Sequence, residues 1–80
     1  MPRLRVMSAS EVIKVLSSFG FEVQDQNGSH IKMSRRNMLQ KQILIVPNHK
    51  SLNKGTLHAL YKQASKYVPQ DQLQDFFYNS

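Results

Sequence analysis

The chain has 80 residues, contains no cysteine and carries a formal net charge of +6 at pH 7. A chain this short forms one domain that buries only about 60% of its unfolded surface, which excludes an internal substrate chamber. The missing cysteines exclude disulfides and thiolate zinc sites, and the sequence shows neither a membrane-spanning apolar run nor the apolar stretch of a signal peptide. We therefore expect residues 1–80 to form a single cytoplasmic domain with no membrane association.

The first predicted element is a helix that begins after Ser8. Ser8 and Glu11 have the spacing of a capping box, in which each side chain binds the backbone N–H of the other residue. Val12 and Leu16 then recur at helical spacing, and Gly20 supplies the stop. The pattern predicts an amphipathic helix between Ser8 and Gly20.

Three strands follow the helix. The segments "FEVQD" and "SHIKMS" alternate apolar and polar residues around a glycine turn, and "KQILIVP" is a more continuous apolar strand closed by Pro47. Since the loops between them are short, the strands are expected to pair antiparallel.

Two more helices are predicted after the strands. The segment "NKGTLHALYKQA" is amphipathic, and "PQDQLQDFF" begins with proline and suits a short C-terminal helix. The buried face of the longer helix is predicted to carry Leu57, Leu60, Tyr61 and Ala64. The sequence thus predicts an α+β fold of order α-β-β-β-α, with the helices on one face of a three-stranded antiparallel sheet.

The register of the first two strands decides where the histidine of "NGSH" points. A two-residue Asn-Gly loop would put Val23 and Ile31 on opposite faces of the sheet, so that the apolar residues of the two strands could not share one hydrophobic core. A three-residue loop over residues 26–28, with its glycine in the left-handed conformation, instead pairs Val23 with Ile31 and Phe21 with Met33. We therefore predict the three-residue loop.

In that register His30 points to the solvent-facing side of the sheet. It lies beside Gln24, and Lys32 shares its face next to Glu22. The chain's three histidines are not expected to form a metal site, because no pair has the i, i+4 helical spacing and no carboxylate accompanies them. His30 is therefore predicted to be an exposed histidine with a lysine nearby.

Charge indicates the kind of partner. All eleven Lys and Arg residues lie between Arg3 and Lys66, whereas residues 67–80 form an acidic tail with Asp71 and Asp75. A pI near 10.0 favours a polyanion, with nucleic acid ahead of a membrane surface because no strongly amphipathic basic helix appears. Solubility alone also accounts for a charge of this size.

The motifs of most enzyme classes are missing. The sequence contains no P-loop, no dinucleotide-binding glycine pattern and no Ser-His-acid cluster, and its five acids are too dispersed for a two-metal centre or a glycosidase pair. One kind of chemistry remains, which is metal-free proton transfer by histidine on a polyanion.

The order and spacing of several segments resemble a known family. A helix, "GFE", "NGSH", a strand ending in "VP", a histidine loop and "NKGTLHALYKQA" are similar to the HicA family of small bacterial toxins over residues 8–64. The resemblance implies a type II toxin that cleaves mRNA independently of the ribosome and without a cofactor. It also implies a fold like a double-stranded-RNA-binding domain, a HicB antitoxin as partner, and His30 as the catalytic residue.

Metal-free RNA cleavage needs a base for the 2′-hydroxyl proton and donors for the pentacoordinate phosphate. His30 suits the first role, and Lys32 could supply positive charge from the same face. A second phosphate site is predicted at the start of the second long helix, where Asn53 or Ser51 caps the helix. The predicted RNA-binding residues are Ser29, Lys32, Arg35, Lys50, Lys54 and Gly55.

Two other functions are consistent with the same residues. The chain could be a non-catalytic RNA-binding module, which needs the lysines but not His30. It could also be an adaptor whose basic face binds an acidic partner such as the antitoxin. In each case we expect a monomer when the antitoxin is absent.

Overall fold

The secondary structure follows the predicted α-β-β-β-α order and includes the predicted short C-terminal helix, and it adds a two-residue strand near each end. The computed structural model describes residues 3–79. In chain order the elements are β1 (Arg3–Leu4), α1 (Ala9–Ser18), β2 (Glu22–Asn27), β3 (His30–Asn37), β4 (Gln40–Pro47), α2 (Lys54–Ala64), α3 (Gln70–Phe77) and β5 (Tyr78–Asn79). No helix within residues 3–79 is long and apolar enough to cross a membrane.

Helix α1 begins at the predicted capping box. The Ser8 hydroxyl accepts the Glu11 N–H at 3.2 Å, and the Glu11 carboxylate accepts the Ser8 N–H at 3.0 Å. These bonds lower the pKa of Glu11. The bond with the Ser8 backbone has the largest effect, and the bond with the Ser8 side chain has the next largest. The chain leaves the helix at Gly20, which has a φ of +94°, as its predicted role as a stop requires.

The three-stranded sheet has the order β2-β3-β4, and both pairs of strands are antiparallel. Alternate side chains of β3 and β4 are buried, and α1 and α2 cover that face. The buried face of α2 contains the four predicted residues, Leu57, Leu60, Tyr61 and Ala64. The predicted layering, with the helices on one face and water on the other, is confirmed.

The predicted register of the first hairpin is wrong by two residues. The loop has two residues, Gly28 and Ser29, and only Gly28 has a positive φ, +62°, as at the first position of a type II′ turn. Alone, this turn would turn Val23 away from the core. A bulge between Val23 and Asp25 turns the Val23 side chain back to the helix-covered side, where Val23 pairs with Met33 rather than with Ile31 but remains 51% exposed.

The new register changes the neighbours of the site but not its face. His30 pairs with Asn27 instead of lying beside Gln24, and Lys32 pairs with Asp25 instead of lying next to Glu22. Both corrections follow from the bulge and the shorter loop. The orientation of His30 toward solvent is confirmed, since the residue is exposed while the next one along the strand is buried.

The acidic tail is part of the domain. Leu73 and Phe77 of α3 are fully buried, and β5 pairs with β1 in a second, two-stranded sheet in which Leu4 lies opposite Tyr78. This pairing was not predicted, because two-residue strands at opposite ends of the sequence have no periodicity to detect. The core therefore extends from the sheet through α2 to the C-terminal segment.

Candidate functional site

The solvent-facing side of the three-stranded sheet carries the predicted catalytic histidine. We call this side the open face. Strand alternation and the cross-strand pairs determine which residues point to this side, since two residues that lie opposite each other have their side chains on the same side of the sheet. The open face consists of Glu22, Asp25, Asn27, His30, Lys32, Ser34, Arg36, Lys41, Ile43, Ile45 and Pro47.

His30 lies at one end of this face, at the first position of β3. It pairs with Asn27 on one side and Pro47 on the other, and it is exposed. The carbonyl of Ser29 accepts the Asn48 N–H at 2.6 Å, which ties the Gly-Ser-His turn to the loop after β4. The backbone of His30 is therefore held between two strands, while its imidazole remains accessible to a large substrate.

Lys32 is the charged group next along the strand. Two residues of a strand place its side chain about 7 Å from that of His30, on the same face. It is half-buried between Asp25 on β2 and Ile45 on β4. Lys32 can therefore bring positive charge to the same phosphate group that the imidazole approaches, although the facing Asp25 carboxylate offsets part of that charge.

The loop after β4 leads to the start of α2. Asn53 is the N-cap, because its side-chain oxygen accepts the Thr56 N–H at 2.8 Å, and this decides between the two predicted caps. The loop is fixed to the segment before α1 by a bond from the Leu52 N–H to the Met7 carbonyl at 2.9 Å. The exposed Lys50, Lys54 and Gly55 lie in or directly after the loop whose first residue, Asn48, is bonded to Ser29.

Gly55 is not required by the local packing. A Cβ atom added there would meet only the Asn53 side-chain oxygen, at 3.5 Å, which is ordinary contact.

Arg35 lies on the core face, although it was predicted to bind RNA. Its guanidinium donates to the Gln42 side chain, the Phe19 carbonyl and the Tyr67 carbonyl, each at 2.8 Å, and lies 4.9 Å from the Phe21 ring centroid. Strand alternation explains this, because position 35 points the same way as the buried residues 31 and 33. The RNA contact of Arg35 stays a prediction, and these bonds argue against it.

We expect Arg35→Ala to destabilise the fold by about 2 to 3 kcal/mol, because it leaves two carbonyls and a buried amide without their donor. Denaturant unfolding measures this effect. The control is Arg36→Ala on the open face, where an exposed arginine is expected to change the free energy of unfolding by less than about 0.5 kcal/mol. Equal changes in the free energy of unfolding for the two variants would show that Arg35 has no structural role.

The remaining histidines lie elsewhere. His49 is exposed in the loop after β4, where its carbonyl accepts the Ala9 N–H at 3.0 Å, and His58 is exposed on α2 beside Tyr61 and Lys62. Within residues 3–79 there is no group of three or more His, Cys, Asp or Glu side chains that could hold a metal ion. The structure brings neither histidine onto the open face.

Two basic residues of the open face were not among the predicted site residues. Arg36 lies six positions after His30, and even spacing along a strand places both on one side. Lys41 faces Arg36 across the second hairpin. Strand parity could have identified Arg36 from the sequence, whereas Lys41 needed the register of that hairpin.

These features define a class of protein. A three-stranded antiparallel sheet with two long helices on one face, in the order α-β-β-β-α, is an α+β fold like that of double-stranded-RNA-binding domains. A family model described as the HicA toxin of bacterial toxin-antitoxin systems matches residues 9–65. This match covers most of the chain, so the chain belongs to the HicA toxin family. No match was found among curated proteins or among solved structures.

Proposed function

We propose that this toxin is a cytoplasmic endoribonuclease that cleaves mRNA without the ribosome, a metal ion or another cofactor. The observation that carries the proposal is the exposed imidazole of His30 on the open face, two residues from Lys32. Family membership supports a toxin and implies a HicB-type antitoxin as its partner. The net charge of +6 supports a polyanionic substrate.

In this mechanism His30 acts as the general base. The neutral imidazole takes the proton of a ribose 2′-hydroxyl, and the 2′-oxygen attacks the adjacent phosphorus. The bond from phosphorus to the 5′-oxygen then breaks, leaving a 2′,3′-cyclic phosphate and a 5′-hydroxyl. The departing oxygen receives its proton from water or from the imidazolium. Lys32 stabilises the negative charge on the non-bridging oxygens of the pentacoordinate phosphate.

The RNA backbone would extend from His30 toward the start of α2. The segment from Asn48 to Gly55 contains two lysines and no acid. Lys50 and Lys54 are exposed, as is Ser29 in the turn bonded to this segment. Phosphate contacts at these residues and Gly55 would position the strand without reading its bases.

One observation favours the non-catalytic alternative. His30 is the sole histidine among the described residues of the open face, so no second imidazole lies there to protonate the departing oxygen. Incubating the purified protein with single-stranded RNA in EDTA separates the two functions. Cleavage in chelator supports the ribonuclease, whereas a gel shift with intact RNA supports a binding module and overturns the proposal.

Salt dependence tests the contact at α2. Replacing Lys54 by Gln is expected to reduce the slope of log affinity against log salt by about 0.7, because each phosphate neutralised on a single strand releases condensed counterions. The measurement is a salt titration of RNA affinity at pH 8 with a non-cleavable RNA. Unrelated sequences should weaken about equally.

The matched control is Lys62→Gln, which removes an exposed lysine from the last turn of the same helix. We expect its slope to equal that of the unchanged protein. A Lys54 variant with the original slope would exclude the start of α2 from the RNA-binding site.

A further inference from the structure

Exposed apolar side chains concentrate in one part of the chain. Among the described residues seven large apolar side chains are exposed, and four of them fall within residues 38–45. Met38 and Leu39 form the turn between β3 and β4, where they are 91% and 98% exposed, and Ile43 and Ile45 project from β4. Clustered exposed apolar residues on a small domain mark an interaction surface.

The turn itself has an unusual residue. Met38 has a φ of +57°, the only positive φ among the non-glycine residues of the described chain. This conformation favours glycine or asparagine, so a methionine there costs stability. The Met38 side chain packs in no part of the core, so core contacts do not offset this cost.

The backbone of β4 offers unpaired groups beside these side chains. Asn37 and Gln40 close a two-residue turn and must therefore exchange both of their hydrogen bonds. Backbone bonding alternates along β4 from Gln40 onward. The backbone N–H and C=O groups of the even-numbered residues bond to β3, and those of the odd-numbered residues point away from β3. Pro47, which has no N–H, falls at an odd position as this count requires. The outward N–H and C=O groups belong to Lys41, Ile43 and Ile45.

The opposite edge of the sheet is protected. Strand β2 contains a bulge between Val23 and Asp25, and bulges and charges obstruct the pairing of another strand. The Asp25 carboxylate also accepts the Gln26 N–H at 2.8 Å, which occupies an outward donor. Strand β4 is continuous over eight residues, and no backbone bond from within residues 3–79 reaches the outward groups of Lys41, Ile43 or Ile45, although the outward Pro47 carbonyl accepts the His49 N–H at 3.0 Å. The two edges therefore differ, and only the β4 edge is suited to pairing.

The charge around this edge indicates what it pairs with. On the open face, Lys41 lies opposite Arg36 and Ile45 lies opposite Lys32. The basic side chains of these residues therefore flank Ile43 and Ile45. A second copy would bring another net charge of +6 to the same place and be repelled. An acidic partner is attracted, and the family implies a HicB-type antitoxin.

We propose that the HicB-type antitoxin binds by adding a strand to the free edge of β4. The added strand receives main-chain bonds from Lys41, Ile43 and Ile45, the mode of recognition known as β-augmentation. Cross-strand pairing then requires two aliphatic side chains at alternate positions over Ile43 and Ile45, followed by a carboxylate over Lys41. The exposed Met38 and Leu39 enter an apolar depression of the partner. The proposal depends on the family's antitoxin and not on RNA cleavage, so it stands if His30 proves not to be catalytic.

Amide hydrogen exchange on the free toxin and on its complex with its HicB-type antitoxin tests the added strand. In the free toxin the outward amides of Lys41, Ile43 and Ile45 should exchange quickly, and the amides of Gln42 and Leu44 slowly. In the complex all five should exchange slowly. Unchanged fast exchange at the three outward amides of the complex would overturn the proposal.

A proline substitution tests the same bonds energetically. Ile43→Pro removes an outward N–H and no bond to β3, and should weaken antitoxin affinity about tenfold or more. The matched control is Val23→Pro, at an outward position of β2, which should stay within about twofold of the unchanged toxin. Equal affinities for the two variants would overturn the proposal, and the exchange experiment on the unchanged protein decides the matter if Ile43→Pro does not fold.

Sedimentation of the free toxin over a range of concentrations excludes the other occupant. We expect a monomer throughout. A dimer whose outward β4 amides become protected would assign the edge to a second copy and overturn the antitoxin as its occupant.

Discussion

Replacing His30 by alanine is expected to lower the rate of RNA cleavage by at least about 100-fold, the usual contribution of a general base. The side chain is exposed and faces away from the core, so the variant should melt within a few degrees of the unchanged protein. The measurement is cleavage of single-stranded RNA in EDTA at saturating protein, together with a thermal melt.

The control is His58→Ala, which removes an exposed histidine from α2, away from the open face. We expect no change in cleavage or in Tm from this variant. If the His30 variant cleaved RNA normally, the proposed mechanism would be wrong. If it melted well below the unchanged protein, His30 would have a structural role that its exposure does not suggest.

The largest loss of stability is expected from Phe77→Ala, about 3 to 5 kcal/mol. The Phe77 side chain is fully buried, its ring centroid lies 5.5 Å from that of Tyr61, and its carbonyl accepts the Arg5 N–H at 2.9 Å. Truncation leaves a cavity at the point where α3, α2 and the N-terminal segment meet. Equilibrium unfolding in urea measures the change.

Phe76→Ala serves as the comparison, because the neighbouring ring is 40% exposed and packs edge-on against Phe19 at 5.7 Å. Its loss should cost less than half as much, since less apolar surface returns to water. A loss from Phe77→Ala no larger than that from Phe76→Ala would mean that the buried ring adds no more to stability than the partly exposed one.

The sequence predicted the helices well because their determinants are local. The Ser8 and Glu11 capping box, the stop at Gly20 and the four buried residues of α2 each act within a few positions. The solvent-facing side of His30 was also predicted correctly, although the register was wrong. Alternation depends only on odd or even spacing, so the bulge and the shorter loop changed the cross-strand partners without turning β3 over.

The remaining errors involve contacts that join distant segments. No glycine in the sequence marks the position of the bulge after Val23. The pairing of β1 with β5 joins the two ends of the sequence, where no local pattern indicates it. Arg35 was assigned to the RNA because of its charge, while its parity with Met33 indicated the core face. Its acceptors, Phe19 and Tyr67, could not be known before the fold.

The pairing of β1 with β5 also bears on how the toxin is made. Arg3 and Leu4 pair with Asn79 and Tyr78, so the small sheet closes a loop of about 75 residues, which is entropically costly and slow to form. A growing polypeptide emerges from its N-terminal end, and this contact must wait until residues 78 and 79 have been synthesised and have left the ribosomal exit tunnel. Folding during translation can therefore build α1 and the central sheet, but the finished domain appears only afterwards.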